Sequence, residues 1–248
     1  MCDLTRAAAA VAVLGPMRPL WTVLIVTVVF ASLARWVRGV SFGGAVAGAV
    51  VCFLLYLGAG FGAFAALVSV FGLTWICTRL GYRRKEKLGT AEKLDGRTAL
   101  QVLANLAVAA GCAGLSAVSA RRAVFLLAVS AALSEAAADT VSSELGQARS
   151  ANARLITTGE VVPAGTDGGV SWVGTLAGMV AGAVVSLVCV LTGMVPIRWL
   201  GISIVAAITG MIADSFLGAL LERRKLLNND AVNFLGTLVA AATASILV

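Results

Sequence analysis

The chain has 248 residues, 60% hydrophobic and only 12% charged, with a formal charge of +7 and a mean hydropathy of +0.97. Soluble domains carry about 25% charged residues, so a water-soluble globule is excluded, and so apolar a chain cannot stay solvated as a disordered one. The apolar runs are continuous rather than alternating, which excludes a transmembrane β-barrel, and the absence of histidine excludes imidazole bases, His-ligated zinc and Ser-His-Asp chemistry.

In chain order, residues 7–14 are apolar but too short to cross a hydrocarbon core, which needs about 20 residues. Pro16 and Pro19 part them from the first span, and Asp3 disfavours a cleaved signal peptide. Spans are predicted at 20–36, 42–58, 61–79, 98–118, 122–140, 171–192, 199–220 and 231–248. The expected fold is an all-α polytopic membrane helix bundle of eight spans, forming a single transmembrane domain. Residues 1–80 are its less characteristic N-terminal helices, and 81–248 carry the motifs. Cys2, Cys52, Cys77, Cys112 and Cys189 show no CxxC spacing, and those within apolar runs read as small buried side chains.

Fourteen of the 19 Lys and Arg residues fall on one set of span ends and five on the other. The positive-inside rule places the richer set in the cytoplasm, with both termini outside, in the cell membrane. Topology thus accounts for the net charge without a nucleic-acid partner. The basic run 79–87 reads as a positive-inside loop, with phosphate attraction as an additional role.

The unusual polar residues fall on that same side. Arg97, Gln101 and Asn105 enter the fourth span, Glu135 and Asp139 finish the fifth, and Ser142, Ser143 and Glu144 come just beyond. Asp214 lies near the end of the seventh span, and Asn228, Asn229 and Asn233 open the eighth. The loops 79–97, 141–170 and 221–230 belong to this face.

Two hairpins resemble each other. Ala138-Asp139-Thr140 matches Ala213-Asp214-Ser215, and the stretch 170–176 matches 232–238. An internal helical-hairpin repeat is expected, its site at the interface between the copies.

Ionisable groups within a span cost about 2.5–3.5 kcal/mol on insertion scales and usually mark a site. Glu135 and Asp139 share a helix face at i, i+4, as do Asp214, Gly218 and Glu222. Glu135, Asp139 and Asp214 could hold Mg²⁺ with oxygen ligands alone; a structural polar contact between helices is the alternative. The run Gly165-Thr166-Asp167-Gly168-Gly169-Val170-Ser171, ending at Thr175, lets backbone amides approach an anion, and Ser171 suits the N-cap of the sixth span. It is not a Walker A loop.

The stretch from Glu135 to Gly146 together with 165–171 resembles the integral-membrane family that contains phytyl-phosphate kinase. Gln101-Val102-Leu103-Ala104-Asn105, Asp214-Ser215-Phe216-Leu217-Gly218-Ala219 and Asn229-Asp230-Ala231-Val232-Asn233 fit the same pattern. The resemblance covers residues 85–248. The family's Asn-Gly-Gly is here Asp167-Gly168-Gly169, and the added negative charge implies a cation-facing role for residue 167. The resemblance implies phosphoryl transfer from ATP or CTP to an isoprenoid monophosphate, giving the diphosphate. Glu135, Asp139 and Asp214 would then be catalytic. Arg97, Gln101, Asn105, Ser142, Ser143, Gly165, Thr166, Asp167, Gly168, Gly169, Ser171, Thr175, Ser215, Asn229 and Asn233 would bind substrate and nucleotide. A lipid-alcohol kinase or cytidylyltransferase uses the same parts, and a small-ion or anion transporter is the alternative from another class.

Overall fold

The computed structural model describes residues 19–93 and 95–248; the apolar segment 7–14, with Cys2, Arg6 and Arg18, lies outside them. Helix α1 runs Leu20–Trp36, α2 Phe42–Ala59, α3 Phe61–Arg79, the short α4 Tyr82–Leu88, α5 Ala99–Val118, α6 Arg122–Arg149, α7 Trp172–Leu191, α8 Leu200–Leu217 and α9 Asn229–Ile246. Every predicted span is helical. Six stretches among the described residues are long and apolar enough to cross a membrane: Phe42–Ala59, Phe61–Arg79, Ala99–Val118, Arg122–Arg149, Trp172–Leu191 and Ile197–Glu222. Eight were expected. Helix α1 has 17 residues, a rise of about 25 Å against a core of about 30 Å, and α9 opens with Asn229, Asp230 and Asn233, which dilute its apolar character.

Outward surfaces are apolar: Val180, Val184 and Leu187 on α7 and Val205 and Ile212 on α8 are exposed, a surface that suits hydrocarbon and not water. Trp36 and Trp172 stand exposed at one end of the bundle and Trp21 at the other, as membrane-interface anchors do. Inside, the residues are small. Helix α6 is the axis, buried without interruption from Leu127 to Ala138 and built there mostly of Ala and Ser. It packs on α3, α5, α7, α8 and α9, and small side chains permit that close approach. Ser186 joins Ser134 at 2.8 Å and Ser203 at 2.9 Å, and Ser203 joins Ser130 at 2.8 Å. This hydroxyl chain ties α6, α7 and α8 together while satisfying each buried group.

Two expectations about the connections need correction. Helix α6 does not stop at 140; it runs to Arg149, carrying Ser142, Ser143 and Glu144 on its last turns. The remainder of the 141–170 loop holds a small sheet, so the chain is not purely helical. Strands β1 Asn152–Leu155, β2 Val161–Pro163 and β3 Gly169–Val170 pair in the order β2-β1-β3, all antiparallel. Ala153 and Leu155 alternate inward along β1, as a half-covered strand requires.

The basic run is not a plain solvated loop either. Lys85 is fully buried. Its ammonium donates to the Cys77 carbonyl at 3.1 Å and the Thr78 carbonyl at 2.6 Å, and it pairs with Glu144, whose other oxygen accepts from the Thr78 hydroxyl at 3.0 Å. A cation at the last carbonyls of α3 complements the helix dipole, and the pair fastens α4 to α3 and α6. Arg84 donates to the Ser150 carbonyl at 2.7 Å.

Candidate functional site

The C-terminal ends of α6 and α8 and the N-terminal ends of α5, α7 and α9 enclose a polar cavity of about 440 Å³, roofed by the sheet and the loop between β2 and β3. Arg97, Gln101, Asn105, Asp139, Ser142, Ser143, Gly165, Thr166, Asp167, Gly168, Gly169, Ser171, Asp214, Ser215, Asn229 and Asn233 all line it. Two residues singled out from sequence do not. Thr175 lies a turn farther along α7, and Glu135 lies behind the floor, 1% exposed.

The floor is made of carboxylates. Asp139 on α6 and Asp214 on α8 approach within hydrogen-bonding reach of each other. Two ionised carboxylates are acceptors only, so this contact calls for a proton or a cation between them. Glu135 Oε1 and Asp214 Oδ2 are buried with no hydrogen-bond partner, and both lie against Gly236 of α9. A Cβ there would stand 2.6 Å from Glu135 Oε1 and 3.3 Å from Asp214 Oδ2, so only glycine leaves the gap open. A buried polar atom without a partner costs about 1–3 kcal/mol, and more when charged. A hard cation would meet this deficit.

The expected three-carboxylate cage is nevertheless not assembled: among the described residues no three Asp, Glu or Cys groups are placed to hold a metal together. Glu135 sits one helical turn deeper than Asp139. The residues that fit Mg²⁺ are Asp139 and Asp214 at the cavity, since this ion commonly takes one or two carboxylates and completes its shell with phosphate oxygens and water.

Arg97 stands on the opposite wall. Its backbone accepts from Ser41 N at 2.9 Å and donates to the Gly39 carbonyl at 3.1 Å, which fixes it at the entrance to α5. Its guanidinium touches the Thr140 hydroxyl at 3.5 Å and has no carboxylate within ion-pair distance among the described residues. Gln101 closes a capping box with Thr98 and donates to Glu92 at 3.0 Å, and Asn105 donates to the Gln101 carbonyl at 2.9 Å. These two amides hold the Arg97 wall in place as well as lining it.

The glycine loop is a structural joint before it is anything else. Gly168 has φ +71°, and a Cβ there would stand 2.4 to 2.6 Å from Ala219 Cβ, N and Cα. Backbone meets backbone, and no side chain fits. Several loop amides are already committed: Gly169 N to the Thr166 carbonyl at 2.8 Å, Thr166 N to the Pro163 carbonyl at 3.3 Å, and Gly174 N to Ser171 Oγ at 3.1 Å. Ser171 is the N-cap of α7, as expected.

Ala219 belongs to a π-helical turn, Gly218–Glu222, that ends α8. Regular i, i+4, i+8 spacing therefore does not describe Asp214, Gly218 and Glu222, although all three line the cavity. The proposed repeat is also out of register at its caps. Helix α9 is capped by Asn228, which accepts from Ala231 N at 2.9 Å, while Asn233, the counterpart of Ser171 in sequence, lies within the helix. Thr90, Gln147 and Glu222 join the cavity wall. No periodic signal marks Thr90 and Gln147; Thr90 is brought in because Gly165 packs on it.

Fold and site together define a polytopic helical membrane protein with a carboxylate-floored polar cavity at one end. The chain belongs to the integral membrane protein DUF92 family, whose model matches residues 25–241. It is 34% identical over 223 residues to an uncharacterised membrane protein of Methanocaldococcus jannaschii, covering 89% of this chain and 90% of that one. A membrane protein of Synechocystis, also uncharacterised, is 32% identical over 195 residues, 77% of this chain and 76% of its own. The chloroplastic protein VTE6 of Arabidopsis thaliana is 31% identical over 216 residues, 82% of this chain and 65% of that protein. No solved structure matches.

Proposed function

We propose that this chain is a membrane-embedded kinase that transfers a phosphoryl group from ATP or CTP to an isoprenoid monophosphate, giving the diphosphate. The observation that carries the reading is the polar cavity itself, with facing Asp139 and Asp214 on its floor and the unpaired Arg97 guanidinium on its wall. Resemblance to the phytyl-phosphate kinase family and similarity to VTE6 support the same class.

The chemistry suits these residues. An acceptor monophosphate is largely a dianion at neutral pH, its second pKa being about 6. It needs no histidine base. One of its oxygens bonds to the γ-phosphorus as the bond to the bridging oxygen breaks and the nucleoside diphosphate leaves. Catalysis of this kind rests on positioning and charge neutralisation. Arg97 would hold the acceptor phosphate, and Asn229 and Asn233 would orient phosphate oxygens through their amides. Asp139 and Asp214 would hold Mg²⁺, which when bound neutralises charge on the phosphates. Transport is the weaker reading, because the interior beyond the serine chain is lined by Leu127, Val129 and Ala131 rather than by polar groups reaching the far end.

The test is direct. Full-length protein in nanodiscs, given isoprenyl monophosphates of several lengths, γ-labelled ATP or CTP and Mg²⁺, should yield labelled isoprenyl diphosphate. Label on an isoprenyl alcohol but never on a monophosphate would replace the reading with a lipid-alcohol kinase. No lipid product, with labelled ion crossing proteoliposomes, would replace it with a transporter.

A further inference from the structure

A second cavity, of about 270 Å³, lies between α1, α2, α3 and α5, in the part of the chain whose sequence is least distinctive. One end is charged, with Arg38, Arg79, Lys93 and Arg97 on its lining. The other is apolar and is lined by Phe30, Leu67, Phe71 and Leu106. Along α3 its lining extends from Arg79 to Leu67, about 18 Å at 1.5 Å per residue. Glu92, Arg97, Gln101 and Asn105 line this groove and the polar cavity alike. A ligand with a phosphate head at Arg97 would thus have an apolar slot continuous with its other end.

We infer that this groove holds the hydrocarbon tail of the lipid-phosphate substrate, an inference that rests on the kinase reading for the identity of the head. Its inner end is closed by Phe30, which meets Phe71 edge-on at 5.6 Å and Phe64 at 5.7 Å between ring centroids. An apolar cavity of about 150 Å³ accommodates benzene, so this volume takes on the order of ten carbons, or two isoprene units. Longer tails continue into the bilayer. The groove therefore reads the first two units and is indifferent to the rest. Each CH₂ moved out of water is worth about fourfold in affinity, so binding should strengthen steeply from five to ten carbons and then level off.

Gly48 on α2 gives the means to test it. It lines the groove, and a Cβ built there meets no heavy atom within 4 Å, so a larger side chain enters open space without displacing the fold. The experiment measures equilibrium binding of five-, ten- and twenty-carbon isoprenyl monophosphates to full-length protein in nanodiscs, read by the fluorescence of groove-lining Trp75, alongside turnover. Gly48→Leu and Gly48→Phe should weaken ten- and twenty-carbon binding at least tenfold, leave five-carbon binding within about twofold, and leave the nucleotide KM unchanged. Gly48→Ala should behave as the parent. Unchanged long-chain binding in folded Gly48→Phe would overturn the inference, as would equal displacement by phosphatidic acid, which would mark the groove as a resident bilayer-lipid site. If labelled diphosphate never forms but long-chain binding is still lost in Gly48→Phe, the kinase reading fails while the tail site stands.

Discussion

Asp139 and Asp214 are legible in sequence because an ionisable residue inside an apolar run is costly enough to demand a reason. The physical consequence of bringing them together is repulsion between two acceptor-only groups. Asp139→Asn supplies an amide donor to Asp214 and removes that repulsion, so its thermal midpoint in detergent should hold or rise. Turnover should fall at least about 10²-fold, because the phosphates lose a charge-neutralising ligand. Near-normal turnover would remove Asp139 from the machinery. Lys85 teaches the opposite lesson. Composition counts it among solvated loop cations, yet it is sealed against Glu144, a contact that depends on α6 running past residue 140. Glu144→Gln strips the partner from a buried ammonium and should cost about 3–5 kcal/mol, whereas exchanging both residues for Met should cost much less. Equal losses in single and double variants, measured by thermal unfolding, would deny the coupling.

Among the elements, the helices could be anticipated from runs of apolar residues, while the connections could not. Nothing in 141–149 breaks a helix, so α6 continued, and the strands beyond it are only four, three and two residues long, below what periodicity resolves. The glycine loop was recognised by its composition, but its backbone contact with Ala219 depends on a partner 51 positions away in sequence, which no local pattern encodes. Gly168→Ala should destabilise the protein through its left-handed φ, which alone costs about 1–2 kcal/mol, with the clash on Ala219 added. Ala219→Gly should fail to rescue it, because Ala219 N and Cα obstruct as much as the methyl does. Full rescue would show that the methyl was the sole obstacle. Ser171→Ala, losing a helix cap, should cost only about 0.5–2 kcal/mol.

For the molecule as a whole, the charge count and the cavity agree on which end is distinctive: the basic rims and the polar lining share it. Single cysteines at Thr90, Ser150 and Leu227, introduced into a cysteine-free background, should resist an impermeant thiol reagent added outside intact cells and react after permeabilisation. Efficient external labelling of all three would invert the orientation. What sequence alone missed at this scale is the groove among α1, α2, α3 and α5. Its lining of Gly, Ala and Phe is indistinguishable in one dimension from any lipid-facing helix, and only the crossing of four helices makes it a space.

The π turn at Gly218–Glu222 makes the end of α8 sensitive to insertions and deletions in a way its composition hides. It holds one more residue than a regular turn, so α8 carries a phase slip between Asp214 and Glu222. Deleting one residue within 219–221 would restore ordinary helical phase and swing everything downstream by about 100°. Glu222 would leave the cavity and the Gly168 contact would be lost, with hydropathy hardly altered. A membrane-insertion assay would then score such a chain as normal while its site had come apart. Length at this turn, more than the identity of the side chains it carries, is what keeps the two halves of the cavity facing each other.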